Sequence, residues 1–574
     1  MARLVADVLI DTLEALGVSQ IFGVAGDSLN GITDAIRRKP DMRWVHTRHE
    51  EVAAFAAGAA AVITEGLAVC AGSCGPGNLH LINGLFDCQR NHVPVLAIAA
   101  HIPSGEVGSD YFQETHPQIL FKECSVYCEL VATPEQLPRM LGTAIQAALT
   151  HKGVAVLVLS GDVALSAATD APDPTWPRQA RPRVLPAQAE LAHLAALLNA
   201  GKNITLLCGA GCAGAHDEVV KLAQALQAPV VHALRGKEYI EYDNPYDVGM
   251  TGLIGFASGY YAMESCDTLL VLGSSFPYRQ FYPQDAKVIQ VDLAGERLGL
   301  RHPLALGVVG DVGETIRALL PTLAPRSDST HLDRALAHYT KTRKELDELA
   351  VGHAGRKPIH PQYLAQRVSE LAAPDAIFTA DVGTPTLWAA RYLKMNGQRR
   401  LIGSFNHGSM ANALAQALGA KAAAPQRQVV ALCGDGGLTM LMGDLITAVQ
   451  EKLPVKIVVF NNGALGFVEL EMKAAGFLET ATELVNPDFG AVVTAMGLYG
   501  QRVEDPADLD AALERAFAHD GPALIDVVTN RQELAMPPKV TFSQARGFSL
   551  YVARAILDGR AGQVLELSRT NLWR

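Results

Sequence analysis

QVVALCGDGG, residues 428–437, and VKIVVFNN, residues 455–462, are the two stretches that decide the fold. Each begins as an apolar run typical of a buried strand, and the segment between them has the length of a helix. Asp435 and Asn462 therefore follow neighbouring strands of a predicted parallel β-α-β unit, at the sheet edge where ligands bind. A carboxylate and an amide oxygen suit a magnesium ion that also binds a diphosphate. The adjacent glycines permit the backbone to approach phosphate groups closely.

A Gly-Asp-Gly sequence on its own is usually a turn, and Asn-Asn on its own is usually the start of a loop. Together, with both flanking strands, they resemble the signature of the thiamine diphosphate (ThDP) enzymes. The resemblance implies that Mg²⁺ is bound by Asp435, Asn462 and the backbone carbonyl of Ala464. It also implies that ThDP is contacted by the adjoining residues Gly436, Gly437, Gly463, Leu465, Gly466, Phe467 and Val468.

Length and composition narrow the class of protein. A chain of 574 residues predicts three or four domains, and 49% hydrophobic with 19% charged residues describes well-buried soluble domains. The net charge of −11 and the absence of a long basic run argue against a nucleic-acid partner. The N-terminal segment, interrupted by Asp7 and Asp11, does not have the pattern of a signal peptide. Nine scattered cysteines without a Cys-x-x-Cys pair fit a reducing cytoplasm and argue against zinc.

Three blocks of alternating strand-like and helix-like segments indicate an α/β fold with three doubly wound parallel sheets. Strands are predicted at residues 21–24, 67–71 and 95–100, at 204–208, 269–273 and 288–291, and at 428–433 and 455–460. With the family resemblance, the predicted domains are 1–182 for the pyrimidine of ThDP, 183–334 for FAD, and 335–530 for diphosphate and Mg²⁺. Residues 531–574 are predicted to form a C-terminal amphipathic helical tail.

Glu50 is the predicted catalytic acid of the first domain. Residues 44–59 have the pattern of a strand entering an alanine-rich helix, with Glu50 and Glu51 both at the helix start. A carboxylate there also complements the helix dipole, so its position alone does not identify a catalytic group. In ThDP enzymes the glutamate directly after a histidine contacts the aminopyrimidine, and the match to His49 selects Glu50. Its hydrogen bond favours the imino tautomer, which then acts as an intramolecular base toward the thiazolium C2 proton.

Other residues match the family's pocket. The loop GSCGPGN, residues 72–78, places Gly75 and Asn78 beside the pyrimidine, although any β-α turn is often glycine-rich. Met410 matches the bulky residue that wedges between the two rings of ThDP; filling of the core is the alternative. Phe112 resembles a substrate-facing residue, with an ordinary core aromatic as the alternative. The resemblance assigns further catalytic or ThDP-binding roles to Gln113, Val382, Gly383, Thr384, Gly408, Ser409, Phe467 and Glu471.

The middle block carries polar and glycine residues at the ends of predicted strands, where a dinucleotide binds in this class of fold. Each segment is weak evidence alone, and a vestigial nucleotide fold is the alternative. Together they resemble the FAD segments of the pyruvate oxidases. The residues implied to contact FAD are Arg235, Thr251, Gly252, Leu253, Ile254, Ser274, Ser275, Phe276, Pro277, Tyr278, Asp292, Asp311 and Val312.

Nearly the whole chain resembles the quinone-dependent pyruvate oxidases of bacteria, also called pyruvate dehydrogenases (quinone). The resemblance implies oxidative decarboxylation of pyruvate to acetate and CO₂, with electrons passed through FAD to a membrane quinone. It also implies a homo-oligomer, expected to be a tetramer, in the cytoplasm at the inner face of the cell membrane. An acetolactate synthase-type carboligase and a phosphate-dependent pyruvate oxidase are the rival interpretations.

The tail has its own pattern. Apolar side chains repeat on one side of a predicted helix, with five arginines against two acidic residues after position 541. Such a helix suits an anionic phospholipid surface, and a helix docked permanently on the body or on a neighbouring subunit is the alternative. The resemblance favours a helix that is docked at rest and released onto lipid. The apolar residues are Phe548, Tyr551, Val552, Ala555 and Ile556, followed by Val564, Leu565, Leu567, Leu572 and Trp573.

Overall fold

The computed structural model describes residues 3–169, 183–352, 356–533 and 542–571. Three six-stranded parallel sheets, each flanked by helices, follow one another along the chain. The predicted α/β fold is therefore confirmed, because each apolar run became a strand paired in parallel with its neighbours. The domain boundaries at 182, 334 and 530 stay predictions, and Pro172, Pro174, Pro177 and Pro182 of the proposed linker lie outside the described residues.

The first sheet has the order β2-β1-β3-β4-β6-β5, and its helices cover both faces. Its strands are β1 Gln20–Gly23, β2 Arg43–His46, β3 Ala68–Gly72, β4 Val95–His101, β5 Tyr127–Val131 and β6 Val154–Ser160. Its helices are α1 Val5–Ala15, α2 Asn30–Arg37, α3 Glu50–Thr64, α4 Pro76–Asn91, α5 Pro117–Leu120, α6 Leu137–His151 and α7 Gly161–Ala164.

The second sheet has the order β12-β11-β10-β7-β8-β9. Its strands are β7 Ile204–Cys208, β8 Val230–His232, β9 Asp247–Met250, β10 Thr268–Leu272, β11 Lys287–Asp292 and β12 Leu306–Val309. The accompanying helices are α8 Gln188–Ala200, α9 His216–Leu226, α10 Lys237–Ile240, α11 Ala257–Glu264 and α12 Val312–Leu319. The charged helix α13, Thr330–Leu349, leads from this domain to the third.

The third sheet has the order β14-β13-β15-β16-β18-β17, so the two strands of the opening motif are neighbours. Its strands are β13 Ile377–Ala380, β14 Arg400–Gly403, β15 Val429–Gly434, β16 Lys456–Asn461, β17 Tyr499–Val503 and β18 Ala523–Val528. Its helices are α14 Pro361–Leu371, α15 Thr384–Tyr392, α16 Asn412–Ala423, α17 Asp435–Leu441, α18 Leu445–Gln450, α19 Gly466–Ala475, α20 Phe489–Ala495 and α21 Leu509–Ala518.

The first and third domains are packed together through α3 and α16, which share one hydrophobic core. Both helices are rich in alanine, and this composition lets their backbones approach closely. A Cβ atom at Gly419 would lie 2.0 Å from the carbonyl oxygen of Ala56, so a side chain at this position would force the helices apart. The alanine-rich segment after Glu50 is therefore a packing surface between domains.

The tail forms two helices, α22 Phe542–Leu557 and α23 Ala561–Asn571, and α22 packs against α19 of the third domain. Tyr551, Ala555 and Leu567 are buried there, and Phe548, Val552 and Val564 are packed against them. Of the predicted apolar residues, Leu572 and Trp573 lie outside the described residues. Within the described ranges, no helix has the length and apolar character needed to cross a membrane.

Candidate active site

Asp435 lies at the carboxyl end of β15, as the first residue of α17. Its carboxylate accepts hydrogen bonds from the backbone amides of Gly436 at 3.0 Å and Gly463 at 2.7 Å. Burial raises the pKa of Asp435, although these hydrogen bonds act in the opposite direction. A divalent cation beside this carboxylate would offset the cost of burying its charge.

The residues after β16 lie against the same carboxylate. The side-chain oxygen of Asn462 accepts a hydrogen bond of 3.0 Å from the backbone amide of Ala464. Asn486 donates to Asp435 at 2.7 Å and to the side-chain oxygen of Asn461 at 2.9 Å. The structure thus brings the three predicted Mg²⁺ ligands into one loop cluster, and their carboxylate, amide and carbonyl oxygens fit that ion.

Asn486 belongs to this cluster although no sequence motif predicts it. It lies in an irregular segment between α19 and α20, 51 positions after Asp435, and carries no periodic pattern. A cavity of about 310 Å³ opens beside it. The cavity is lined by Asn461, Asn462, Gly463, Leu484, Asn486, Arg502, Arg531 and, from the tail helix α23, Glu566, with Pro358, Val528 and Thr529.

The segment 381–384 forms another wall of the same region. The buried carboxylate of Asp381 accepts hydrogen bonds from the backbone amides of Ala413 at 2.9 Å and Gly434 at 3.1 Å. Burial raises the pKa of Asp381 to about 7. The backbone amide of Val382 donates to Asn412, and Thr384 follows Gly383 as the first residue of α15. The predicted pocket edge is thereby fixed to the end of β15.

Met410 lies beside the Gly-Asp-Gly loop, where its methyl group would be 3.4 Å from a Cβ atom at Gly436. Its side chain is only half-buried, which favours the predicted wedge over the alternative of core filling. Ser409 donates from its hydroxyl to the carbonyl oxygen of Met410 at 2.9 Å, while Gly408 is exposed. Leu465 approaches the same position at Gly436, so it shares this part of the pocket with Met410.

Helix α19 carries the predicted substrate wall. Phe467 packs partly into the core of the third domain, Val468 is partly exposed, and Gly466 lies close to Thr384. Glu471 is exposed on the next turn. The structure therefore places Gly466 beside the predicted pocket edge at Thr384, Phe467 against the domain core, and Glu471 at the surface.

Glu50 is buried at the start of α3, and its side-chain oxygen lies 2.9 Å from Nδ1 of His80. His80 stacks on His49 with ring centroids 4.3 Å apart, and Nδ1 of His49 accepts a hydrogen bond from the amide of Glu51. A Cβ atom at Gly77 would lie 3.0 Å from the other oxygen of Glu50, so any side chain there would displace the acid. His80 had no sequence signal, because its contact with Glu50 exists only in the folded chain.

Glu50 and Glu51 differ in their burial and in their hydrogen-bond partners. Glu51 is only half-buried, and it accepts a hydrogen bond of 2.7 Å from Asn83. Asn83 also donates to Ser409 at 3.0 Å, which connects this side chain to the third domain. Glu51 therefore serves a contact between domains, whereas Glu50 points to the loop after β3 that was predicted to lie beside the pyrimidine.

The remaining predicted residues of the first domain are close to Glu50 or at the surface. Gly75 precedes α4, and Asn78 is buried and donates to the carbonyl oxygen of Ala100 at 2.8 Å. Gln113 accepts a weak hydrogen bond from the thiol of Cys74 at 3.3 Å. Phe112 is 79% exposed, which excludes the alternative that it is a core aromatic of this chain.

Among the described hydrogen bonds of one chain, none joins Glu50 directly to Asp435. The described hydrogen bond of Glu50 goes to His80, and those of Asp435 go to residues 436, 463 and 486.

The predicted FAD residues follow the strands of the second sheet at one edge. Arg235 follows β8, Thr251 follows β9, and Asp292 ends β11, so all lie at carboxyl ends of parallel strands. The hydroxyl oxygen of Thr251 is buried, and among the described residues it has no hydrogen-bond partner. A ligand at this edge would supply one. Burial raises the pKa of Asp292, whose carboxylate accepts a hydrogen bond from Ala294.

The other members of this set have mixed environments. Ser274 and Phe276 are buried after β10, Phe276 packs edge-to-face on Tyr278, and Ser275 and Pro277 lie between them. Gly252, Leu253 and Ile254 form the loop after β9, where Leu253 is exposed. Asp311 accepts a hydrogen bond from Glu314 as the cap of α12, and Val312 is buried in the domain core. The last two residues thus have structural contacts that need no ligand.

Comparisons with known proteins agree with the fold and the thiamine site. Residues 381–527 match the family model described as "Thiamine pyrophosphate enzyme, C-terminal TPP binding domain". Residues 191–319 match the central domain of the same enzymes, and residues 3–120 match their N-terminal TPP binding domain. Thiamine pyrophosphate, or TPP, is another name for ThDP.

Three relatives extend over most of the chain. The putative thiamine pyrophosphate-containing protein YdaP of Bacillus subtilis is 36% identical over 98% of each chain. The pyruvate oxidase of Lactiplantibacillus plantarum is 31% identical over 91% of this chain and 87% of the relative. An acetolactate synthase of Mycobacterium bovis is 30% identical over 93% of this chain and 89% of the relative. The chain belongs to the thiamine diphosphate-dependent enzymes.

Proposed function

We propose that this enzyme oxidatively decarboxylates pyruvate, in the balance pyruvate plus water to acetate, CO₂, two protons and two electrons. The electrons pass to FAD bound by the second domain and then to a membrane quinone. The observation that favours this reaction over its rivals is the C-terminal tail. Its helix α22 packs on α19, the helix that carries the predicted substrate wall, and lies beyond the last residue of the matched family models.

The first and third domains would each supply a different part of the thiamine site. Asp435, Asn462 and the carbonyl of Ala464 would hold Mg²⁺ and, through it, the diphosphate. Glu50 would hold a proton at the pyrimidine ring, and His80 keeps its carboxylate oriented at 2.9 Å. When bound, ThDP supplies the electron sink for decarboxylation and FAD accepts the two electrons. Met410 and Leu465 would shape the space beside Gly436 in which the cofactor binds.

A second copy of the chain would complete each site. Glu50 and Asp435 have no described hydrogen-bond partner in common within one chain, and the substrate-facing candidate Phe112 is exposed. Both facts are accounted for when the first domain of one subunit faces the third domain of its partner. We therefore propose a homo-oligomer, built as a tetramer of two such pairs.

The tail would connect the enzyme to the membrane from the cytoplasmic side. In the docked position the hydroxyl of Tyr551 donates to Glu479 at 2.7 Å, and Arg554 donates to the carbonyl oxygen of Gly476 at 2.6 Å. Ile556 and Leu557 remain exposed, by 52% and 88%. Release of α22 when the flavin is reduced would present its apolar face and its arginines to anionic phospholipid.

Acetolactate synthase-type carboligation is the second candidate, because an acetolactate synthase is about as similar to this chain as the pyruvate oxidase is. Anaerobic addition of pyruvate separates the two. An oxidase bleaches the absorbance of its bound flavin, whereas a carboligase shows no net flavin reduction. A requirement for inorganic phosphate in turnover would identify the third possibility, an oxidase that makes acetyl phosphate.

A further inference from the structure

Arg391 is a buried arginine at the end of α15 whose side chain reaches into another domain. Its Nε donates to the carbonyl oxygen of Ile254 at 3.1 Å, and its Nη2 donates to that of Gly255 at 3.2 Å. These two residues belong to the loop after β9, which carries predicted FAD contacts from Thr251 to Ile254. Burial lowers the pKa of Arg391 to about 10. Because this value is still above neutral pH, the guanidinium stays charged.

The loop is held at both its base and its tip. At the base, the amide of Phe256 donates to the carbonyl oxygen of Met250 at 2.7 Å, which closes the loop. At the tip, the side chain of Ile254 packs against the hydrophobic core of the third domain while its carbonyl binds Arg391. The position of the loop is therefore set by the third domain as well as by its own sheet.

The opposite end of α15 is part of the thiamine pocket. Thr384 begins the helix beside Gly466, and Thr386 in its first turn donates to the carbonyl oxygen of Asp381 at 2.7 Å. Arg391 lies seven positions after Thr384 on this helix, a rise of about 10 Å. One short, buried helix thus joins the pocket edge at its first turn to the flavin loop at its last.

Neighbouring contacts brace the same junction. Nη1 of Arg343 in α13 donates to the carbonyl oxygen of Arg391 at 2.7 Å. Glu241, after α10 of the second domain, accepts a hydrogen bond of 3.2 Å from the amide of Met395, which follows α15. The end of α15 is therefore fixed from both sides, which leaves the guanidinium little freedom to move away from the loop.

We infer that Arg391 is a positioning residue that fixes the flavin loop, residues 251–255, relative to the thiamine pocket through helix α15. This inference rests on the proposed function, because it assigns the loop to FAD. A rigid element between two sites sets their separation, and the transfer of electrons between them depends on that separation. The loss of Arg391 should therefore slow flavin reduction more than it slows the chemistry confined to the thiamine pocket.

Arg399 provides a matched control. It is also a buried arginine of the third domain that binds backbone carbonyls, donating to Ala372 at 2.8 Å, Lys394 at 3.1 Å and Ala373 at 3.2 Å. These acceptors, and the hydroxyl of Ser369 at 3.5 Å, lie within its own domain, so Arg399→Met removes a similar group without touching the flavin loop. Arg391→Met and Arg399→Met should therefore cost comparable stability, but only Arg391→Met should loosen the link between the flavin loop and the thiamine pocket.

The test uses the holoenzyme, loaded with ThDP, Mg²⁺ and FAD, in two measurements. The first compares anaerobic flavin reduction by pyruvate with exchange of the thiazolium C2 proton. Arg391→Met should slow flavin reduction about tenfold or more and change proton exchange by less than about threefold. Arg391→Lys should recover part of the loss, because its ammonium still reaches one carbonyl, and Arg399→Met should behave as the parent enzyme. Equal slowing in Arg391→Met and Arg399→Met would overturn the inference.

The second measurement is amide hydrogen exchange in the peptide that covers residues 250–256, which does not require turnover. Exchange there should rise in Arg391→Met and stay unchanged in Arg399→Met. Unchanged exchange in Arg391→Met would overturn the inference whatever the flavin does. If the loop loosens as expected but pyruvate never reduces the flavin of the parent enzyme, the proposed function fails while the link from Arg391 to the loop stands.

Discussion

The carboxylate of Asp435 and the backbone amide of Gly463 are joined by a hydrogen bond of 2.7 Å, which connects the two halves of the opening motif. The two residues follow adjacent strands, β15 and β16, whose pairing runs from Val430 opposite Lys456 to Gly434 opposite Phe460. This contact holds the carboxylate of Asp435 against the loop that begins at Asn462, so a metal ion would meet a preorganised site.

Replacement of Asp435 or Asn462 by alanine should abolish tight binding of Mg²⁺ and ThDP together. The reason is that the metal joins the protein to the diphosphate, so neither ligand binds well without the other. Calorimetric titration of ThDP with and without Mg²⁺ measures this. Asp488→Ala, which removes an exposed carboxylate that caps α20, should leave the affinity unchanged. Undiminished ThDP affinity in Asp435→Ala would contradict the assignment.

Glu50→Gln should leave ThDP bound and slow both C2 proton exchange and turnover by at least about a hundredfold, the usual scale of general acid–base catalysis. The buried carboxylate of Glu50 lies next to His80, whereas Glu51 binds Asn83. Glu51→Gln is therefore the matched control, with exchange within about threefold of the parent enzyme. Proton exchange followed by NMR decides between them, and near-normal exchange in Glu50→Gln would transfer the role to Glu51.

Mixed subunits test whether the site is shared. Because Glu50 and Asp435 are expected to serve one cofactor from different chains, a hybrid of Glu50→Gln and Asp435→Ala chains should contain one intact site. Activity should therefore appear when the two inactive proteins are dissociated and reassembled together. Hybrids that form, as shown by mass, but remain inactive would place each site within a single chain.

Two variants test the membrane-binding role of the tail, one that removes it and one that weakens its docking. Truncation after Gly547 removes most of α22, so it should preserve reduction of a soluble dye, abolish flotation with anionic liposomes and sharply lower quinone reduction. Tyr551→Phe loses the hydrogen bond to Glu479 that holds the docked helix, so it should float with liposomes even without pyruvate. A truncated enzyme that still floats would show that the membrane contact lies elsewhere.

Much of the fold could be predicted from the sequence, because the apolar runs are long and their ends carry glycine or polar residues. The run at 204–208 became β7 with the same bounds, and the run at 95–100 became β4, Val95–His101. The order of strands could not be read, because parallel neighbours are separated by whole helices.

The residues of the candidate site could be predicted from the sequence only where they share a short motif. Asp435 and Asn462 fall within one β-α-β unit, whereas His80 and Asn486 join their clusters through contacts that no local pattern encodes. Glu50 and Glu51 look alike as helix-start carboxylates, and only burial separates them physically. Arg391 has the sequence position of an ordinary basic residue in a last helical turn, so its reach to Ile254 had no signal.

Product analysis with an artificial electron acceptor decides whether this enzyme oxidises pyruvate or condenses it. The holoenzyme is incubated with pyruvate and the acceptor, without phosphate, and the products are quantified together with the reduced acceptor. We expect one acetate, one CO₂ and two electrons delivered to the acceptor for each pyruvate consumed. Acetolactate as the product, with the acceptor left oxidised, would show that pyruvate is condensed and not oxidised.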